Sequence, residues 1–362
     1  MKVLHIVGNK IEPANGIGRL VPEMIVNHNS LGEGLESSLL VLSGNYSSTD
    51  FAVYNLDEIQ SFDVFFTQFD LVVFHGMYFY QYIKISNILT RTSIPYLIKP
   101  HSSLMFAAQR KSKLKKTIAN FVFFKRFFKR SKGVLFTNLD EMTNSLKWSD
   151  KWFVEPNGLD FSFSGANLKI SSGCESFKFI YLSRIDFSHK GTDQLLDALS
   201  IIKSKNLLDK FSLDIYGKGS VAEEGVVKKR LLELGSPNIV FKGPAYGSVK
   251  VNAFNNGDIF ILTSRYEGFP MAILEALHFG LPCIVTPGAN MTSILSSNNV
   301  GWLTEGNPES IANTMIKANS ISTSCLSEMS LTANKYVHDH HNWQTVVNTS
   351  RYIFQEVIEA AR

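Results

Sequence analysis

Cysteine is scarce: 362 residues contain only Cys174, Cys283 and Cys325, with no Cys-x-x-Cys spacing among them. That argues against a disulfide frame or a thiolate zinc site and predicts free thiols in a reducing compartment. No run of about 18 apolar residues occurs, so no segment reads as a membrane-spanning helix. The opening Met1-Lys2-Val3-Leu4-His5-Ile6-Val7-Gly8 is broken too soon for a secretory leader, which predicts a cytoplasmic chain. There is no Asp-x-Asp pair of the kind that holds a divalent ion, so no metal is expected. Acid is missing from one stretch in particular, because residues 110–132 carry ten Lys or Arg and no Asp or Glu. The whole chain is only +4, so the remainder is net acidic.

What is present is globular. Hydrophobic residues make up 44% and charged residues 19%, which excludes a disordered chain. The length exceeds what one core supports and predicts two domains. Short apolar runs alternate with amphipathic stretches throughout, the signature of parallel sheets covered by helices on both faces. Strands are expected at 3–7, 38–42, 71–74, 96–99, 134–137 and 152–154, then at 179–182, 211–216, 239–242, 259–263, 282–285 and 301–303. The Ser- and Gly-rich stretch 161–175 between the two series reads as a linker. The expected division is residues 1–160, the linker, residues 176–342, and a last helix at 343–362 that returns to the first domain. The fold class is α/β, with two doubly wound, Rossmann-like domains and a cleft at the carboxyl ends of their sheets, where such sheets bind ligands.

Three motifs lie just after strands. Ser264-Arg265-Tyr266-Glu267-Gly268-Phe269-Pro270-Met271 follows the 259–263 strand and opens a helix that carries Glu275. Amides at such a helix start attract phosphate or sugar oxygens, and Glu267 and Glu275 can line one wall. The plain alternative is an amphipathic helix with ordinary acidic residues. Ser183-Arg184 and Lys190-Gly191 follow the 179–182 strand. An Arg fork and a mobile ammonium there suit a diphosphate, although two solvated cations would look the same. Gly16-Ile17-Gly18-Arg19 follows the first strand, but Val21 stands where a dinucleotide fingerprint needs its third glycine, which disfavours a nicotinamide enzyme.

Taken together with Asp70-Leu71-Val72-Val73-Phe74-His75-Gly76, Pro100-His101-Ser102-Ser103-Leu104, Pro156-Asn157-Gly158-Leu159-Asp160 and Ile215-Tyr216-Gly217-Lys218-Gly219, the chain resembles the retaining glycosyltransferase family 4 of the GT-B fold, of bacterial surface-polysaccharide or O-antigen type. The resemblance implies that Arg184 and Lys190 bind the donor diphosphate and stabilise the leaving group. It implies a ribose-binding Glu275, a Glu267 facing the donor sugar, and a backbone from Gly268 through Phe269 and Pro270 to Met271 that holds sugar hydroxyls and phosphate. Gly16 and Gly18 would line the donor side of the N-terminal loop, with Arg19 towards acceptor or phosphate. His101 resembles the histidine near the transferred sugar, and His75 is a second candidate with an equally ordinary structural reading. The family often has Gly directly after that histidine, whereas this chain has Ser102.

The implied reaction is transfer of a hexosyl unit from a UDP- or GDP-sugar to a glycan hydroxyl, with no cofactor beyond the nucleotide-sugar substrate. A sugar-nucleotide epimerase on the same fold and a non-catalytic assembly subunit are the alternatives. The acid-free segment interleaves Lys113, Lys115, Lys116, Lys125, Arg126, Lys129 and Arg130 with phenylalanines. A basic–aromatic amphipathic helix of this kind can lie on an anionic inner-leaflet surface, which suits a lipid-linked acceptor, and no nucleic-acid motif accompanies it. The plain alternative is aromatics turned into the core beneath solvated cations.

Overall fold

The computed structural model describes residues 1–12, 16–110, 113–161 and 176–362. The expected linker, residues 161–175, falls outside them except for Phe161. Two compact units are present: Met1–Gly158 with His341–Arg362, and Leu159–His340.

The first unit is built on seven parallel strands, β1 (Lys2–Val7), β2 (Glu36–Val41), β3 (Val53–Asn55), β4 (Leu71–His75), β5 (Tyr96–Lys99), β6 (Gly133–Phe136) and β7 (Trp152–Val154), in the order β3-β2-β1-β4-β5-β6-β7. The inner strands are buried along their length, as in β4 with five buried residues in a row, because helices cover both faces. The helix Gly16–Leu31 turns Leu20, Val21, Met24, Ile25 and His28 inward at helical spacing. The helix Trp343–Glu359 is capped by Asn342, whose side chain accepts from the Thr345 amide at 2.8 Å. Its Val346, Val347, Ile353, Phe354, Val357 and Ile358 are buried in the same unit. Gly158 is needed there, since a Cβ would lie 2.4 Å from the Trp343 ring.

The second unit repeats the plan with β8 (Lys178–Leu182), β9 (Ser212–Tyr216), β10 (Ile239–Gly243), β11 (Ile259–Leu262), β12 (Cys283–Val285) and β13 (Gly301–Leu303), in the order β10-β9-β8-β11-β12-β13. In each sheet the winding reverses between the first strand and the fourth, β1 beside β4 and β8 beside β11. Chains diverge at such a switch point and leave a crevice beyond the strand ends. Among the described residues no helix is long and apolar enough to cross a membrane.

Candidate functional site

In the second unit the motif residues gather at the switch point. The loop after β8 carries Arg184 and Lys190, and the loop after β11 carries Glu267. Gly191 joins the loops: it sits at φ +63°, and a Cβ there would lie 2.1 Å from the Thr263 carbonyl oxygen. The Arg265 amide donates to the His189 carbonyl at 2.8 Å, and the Arg265 guanidinium grips both Asp193 oxygens at 2.7 Å. Such a bidentate fork fixes orientation as well as distance.

On this frame Lys190 forms an ion pair with Glu267 Oε1, which also accepts from Ser264 Oγ at 2.7 Å. Asn290 Nδ2 holds the Glu267 carbonyl at 2.5 Å. The His189 ring packs at a tilt of 31° against Tyr266 with ring centroids 4.3 Å apart, and its Nε2 lies 3.9 Å from Glu267. Partial burial lowers the His189 pKa, although Glu267 opposes the shift. Arg184 reaches the group through His189, Nη2 to Nδ1 at 3.0 Å, while its side chain stays 65% exposed. Pro270 stands at the N-cap of the helix Met271–His278 with no side-chain cap.

Glu275, one turn into that helix, is 7% exposed and pairs with Lys250 Nζ at 2.6 Å. Lys250 lies on the helix Gly247–Asn255 and was not expected, since a lone lysine on a helix carries no sequence signal. Among the described residues no cluster of three or more His, Cys, Asp or Glu has metal-ligating geometry.

The first unit gathers a different set. Gly18 admits the chain's own backbone, as a Cβ would lie 2.8 Å from the nitrogen and oxygen of Glu12, while Gly16 faces open space. Arg19 pairs at 3.9 Å with Glu23. His75 ends β4 and His101 follows β5, and the structure links them, His75 Nδ1 to His101 Nε2 at 2.9 Å. His101 and Ser102 both hold positive φ, +47° and +68°. Glu141, buried and also accepting from the Thr137 amide and hydroxyl, takes the Ser102 amide at 2.6 Å and fixes that bend. Behind them lie His5, His28 and a fully buried Lys99–Glu155 pair at 2.7 Å, none of which the sequence singled out.

The basic segment is not one amphipathic helix. Helical residues Lys113–Ala119 pass through a π-helical turn, Asn120–Phe124, into the helix Lys125–Arg130. The wider turn shifts the register, so Phe124, Phe127 and Phe128 enter the core while Ile118, Phe121, Val122 and Phe123 face out. The core reading therefore applies to some of the aromatics, while the others are exposed. Lys115, Lys125, Arg126 and Lys129 are exposed around them. Lys116 donates to the Ala108 carbonyl and Arg130 to Asn87. The side chain of Lys113 lies outside the described residues.

Residues 169–330 match the family model of glycosyl transferases group 1. The second unit is thus similar to group 1 glycosyl transferases over most of its length. The chain is 29% identical over 181 residues to the UDP-Gal:alpha-D-GlcNAc-diphosphoundecaprenol alpha-1,3-galactosyltransferase of Escherichia coli, covering 45% of this chain and 44% of that one. It is 34% identical over 112 residues to the lipopolysaccharide 1,6-galactosyltransferase of Escherichia coli K12, covering 30% of each. The chain thus spans less than half the length of these relatives. Sucrose-phosphate synthase of Thermosynechococcus elongatus superposes over 99% of both chains with a TM-score of 0.74 at 13% identity. A lipopolysaccharide outer core galactosyltransferase does so with a TM-score of 0.68 at 15% identity. The fold is GT-B.

Proposed function

We propose that this chain is a retaining hexosyltransferase that moves a sugar from a UDP- or GDP-linked donor to a glycan hydroxyl, on a lipid-linked acceptor at an anionic membrane surface. The observation that carries the reading is the group at the β8/β11 switch point: Arg184, Lys190 and Glu267 on two interlocked loops, beside a helix start without a side-chain cap.

Breaking a sugar–phosphate bond places charge on the leaving diphosphate and oxocarbenium character on the sugar. A preorganised ammonium, guanidinium and helix N-terminus stabilise that diphosphate as its charge develops. Lys190 is the mobile member. It rests on Glu267, and turning to a phosphate oxygen would leave that carboxylate facing the sugar. Glu275, held by Lys250, would take the ribose hydroxyls. His101, at the carboxyl end of the first sheet, would meet the transferred sugar.

The acceptor class draws on two supports. The relative named above acts on a diphosphoundecaprenol-linked sugar. The exposed Phe121, Val122 and Phe123 sit among exposed cations, the pairing that favours an anionic bilayer surface.

A thermal-shift series with UDP, GDP, ADP and their sugar conjugates tests the donor reading, because a ligand that binds only the folded state raises its stability by RT ln(1 + [L]/Kd). A shift with UDP or GDP, lost in Glu275→Ala, is expected. Folded protein that shifts with none of these nucleotides would overturn it.

A further inference from the structure

Three imidazoles in the first unit form a continuous chain. His101 Nε2 lies 2.9 Å from His75 Nδ1, and His75 Nε2 lies 3.0 Å from His5 Nδ1. The His5 ring is 5.4 Å from His28, whose Nδ1 meets Ser37 Oγ at 3.0 Å. At the inner end Lys99 Nζ donates to Glu155 Oε2 at 2.7 Å and to the Glu155 carbonyl at 3.2 Å. His5, His28, His75, Lys99 and Glu155 are fully buried, and only His101 is partly exposed.

Burial pushes all four imidazoles down, His28 to about 4 and His101 to about 3, so each is neutral at neutral pH. A neutral ring has one N–H and one lone pair. His75 therefore donates at one nitrogen and accepts at the other, and the two bonds must run in the same direction. Either all three rings carry the proton on Nε2 or all carry it on Nδ1.

Either way the chain engages His101 at Nε2, and Nδ1 is the other nitrogen of this partly exposed ring. The state of His101 is therefore tied to those of His75 and His5, which are fully buried.

We propose that His5 and His75 are positioning residues for His101: the chain holds His101 Nε2 and fixes a single tautomer, so that Nδ1 meets a sugar hydroxyl in one defined hydrogen-bonding role. The single tautomer follows from this unit alone; the sugar as its partner rests on the glycosyl-transfer reading.

The test is long-range ¹H–¹⁵N correlation of the histidine side chains in the full chain at pH 7, alongside His75→Phe. In the unsubstituted protein His5, His75 and His101 should all be neutral and share one tautomer. A mixed His101, or one whose tautomer differs from those of His5 and His75, would overturn the proposal whether or not the variant folds. In His75→Phe, His101 should become a tautomer mixture and kcat for sugar transfer should fall about tenfold, with nucleotide-induced thermal shifts unchanged. A mixed His101 with unchanged kcat would remove its positioning role. Loss of nucleotide binding in the unsubstituted protein would sink the glycosyl-transfer reading while leaving the tautomer result standing.

Discussion

The two units share one topology and differ in what they place at its switch point. Beyond β8 and β11 the second unit sets formal charges in pairs, Lys190 with Glu267 and Lys250 with Glu275, each side chain keeping between 8% and 15% of its surface exposed. At β1 and β4 the first unit sets neutral histidines and keeps the Lys99–Glu155 charge pair sealed in its interior. The difference teaches that the strand order fixes where chemistry sits and leaves its kind open. Charges close to solvent can exchange partners for a phosphate. Charges in the interior cannot leave each other and can only orient neighbours.

If that contrast is real, acid should separate the units, and this is the largest effect expected. His28 stays neutral in the folded chain down to about pH 4, whereas in the unfolded chain it protonates below about 6.5. The unfolded state therefore binds more protons across that window, and stability falls as pH falls. His28 alone contributes about 3 kcal/mol, because each tenfold loss of proton affinity on folding is worth about 1.4 kcal/mol. His5 and His75 act in the same direction. Burial opposes ionisation of Glu155, but the Lys99 ammonium outweighs it and holds the carboxyl below its ordinary value, so protonation below about 4.5 adds to the loss. Hydrogen exchange between pH 7 and 4.5 should deprotect β1, β4 and β5 before β8 and β11. Simultaneous deprotection would erase the distinction.

The buried pair gives the next effect. Lys99→Met should destabilise by about 3–5 kcal/mol in chemical denaturation, because it leaves Glu155 charged and buried. The double change Lys99→Met with Glu155→Leu should recover most of that loss, and a double variant as unstable as the single would show that the cost was packing. In the second unit, Arg184→Ala or Lys190→Ala should instead cut turnover by about 10²–10³. Near-normal rates would remove the diphosphate clamp.

A smaller effect lies at the surface of the first unit. Changing Lys125, Arg126 and Lys129 to Gln should weaken binding to anionic liposomes at low salt by about 1 kcal/mol per cation, with turnover on a soluble acceptor retained. Unchanged partitioning would make the cations a solvated face.

Much of the frame was legible because strands buried on both faces read as unbroken apolar runs. All twelve expected strands are present, and β3 was missed because three half-buried residues, Val53–Asn55, carry no period. The π-helical turn at 120–124 was invisible to a 3.6-residue period, so inward and outward phenylalanines looked alike. The histidine chain was hidden for another reason. His5 and His75 are 70 residues apart, and Lys99 and Glu155 are 56 apart. Each looks like a stray polar residue until topology supplies its partner. Arg184 and Lys190 stood out because a strand end and a glycine mark them locally.

The smallest effect concerns Ser102, at the bend that follows His101. Ser102 holds φ +68° immediately after His101 at +47°. An L-residue in that region carries roughly 1–2 kcal/mol of strain, and Glu141 offsets it by accepting the Ser102 amide. Glycine relieves the strain but has more freedom to lose on folding, about 0.5–1 kcal/mol. Ser102→Gly should therefore stabilise the first unit by no more than about 1 kcal/mol, with His101 unmoved because Glu141 binds backbone. A variant of lower stability would mean that the Ser102 hydroxyl, which donates to the His101 carbonyl at 2.5 Å, contributes more than the bend costs.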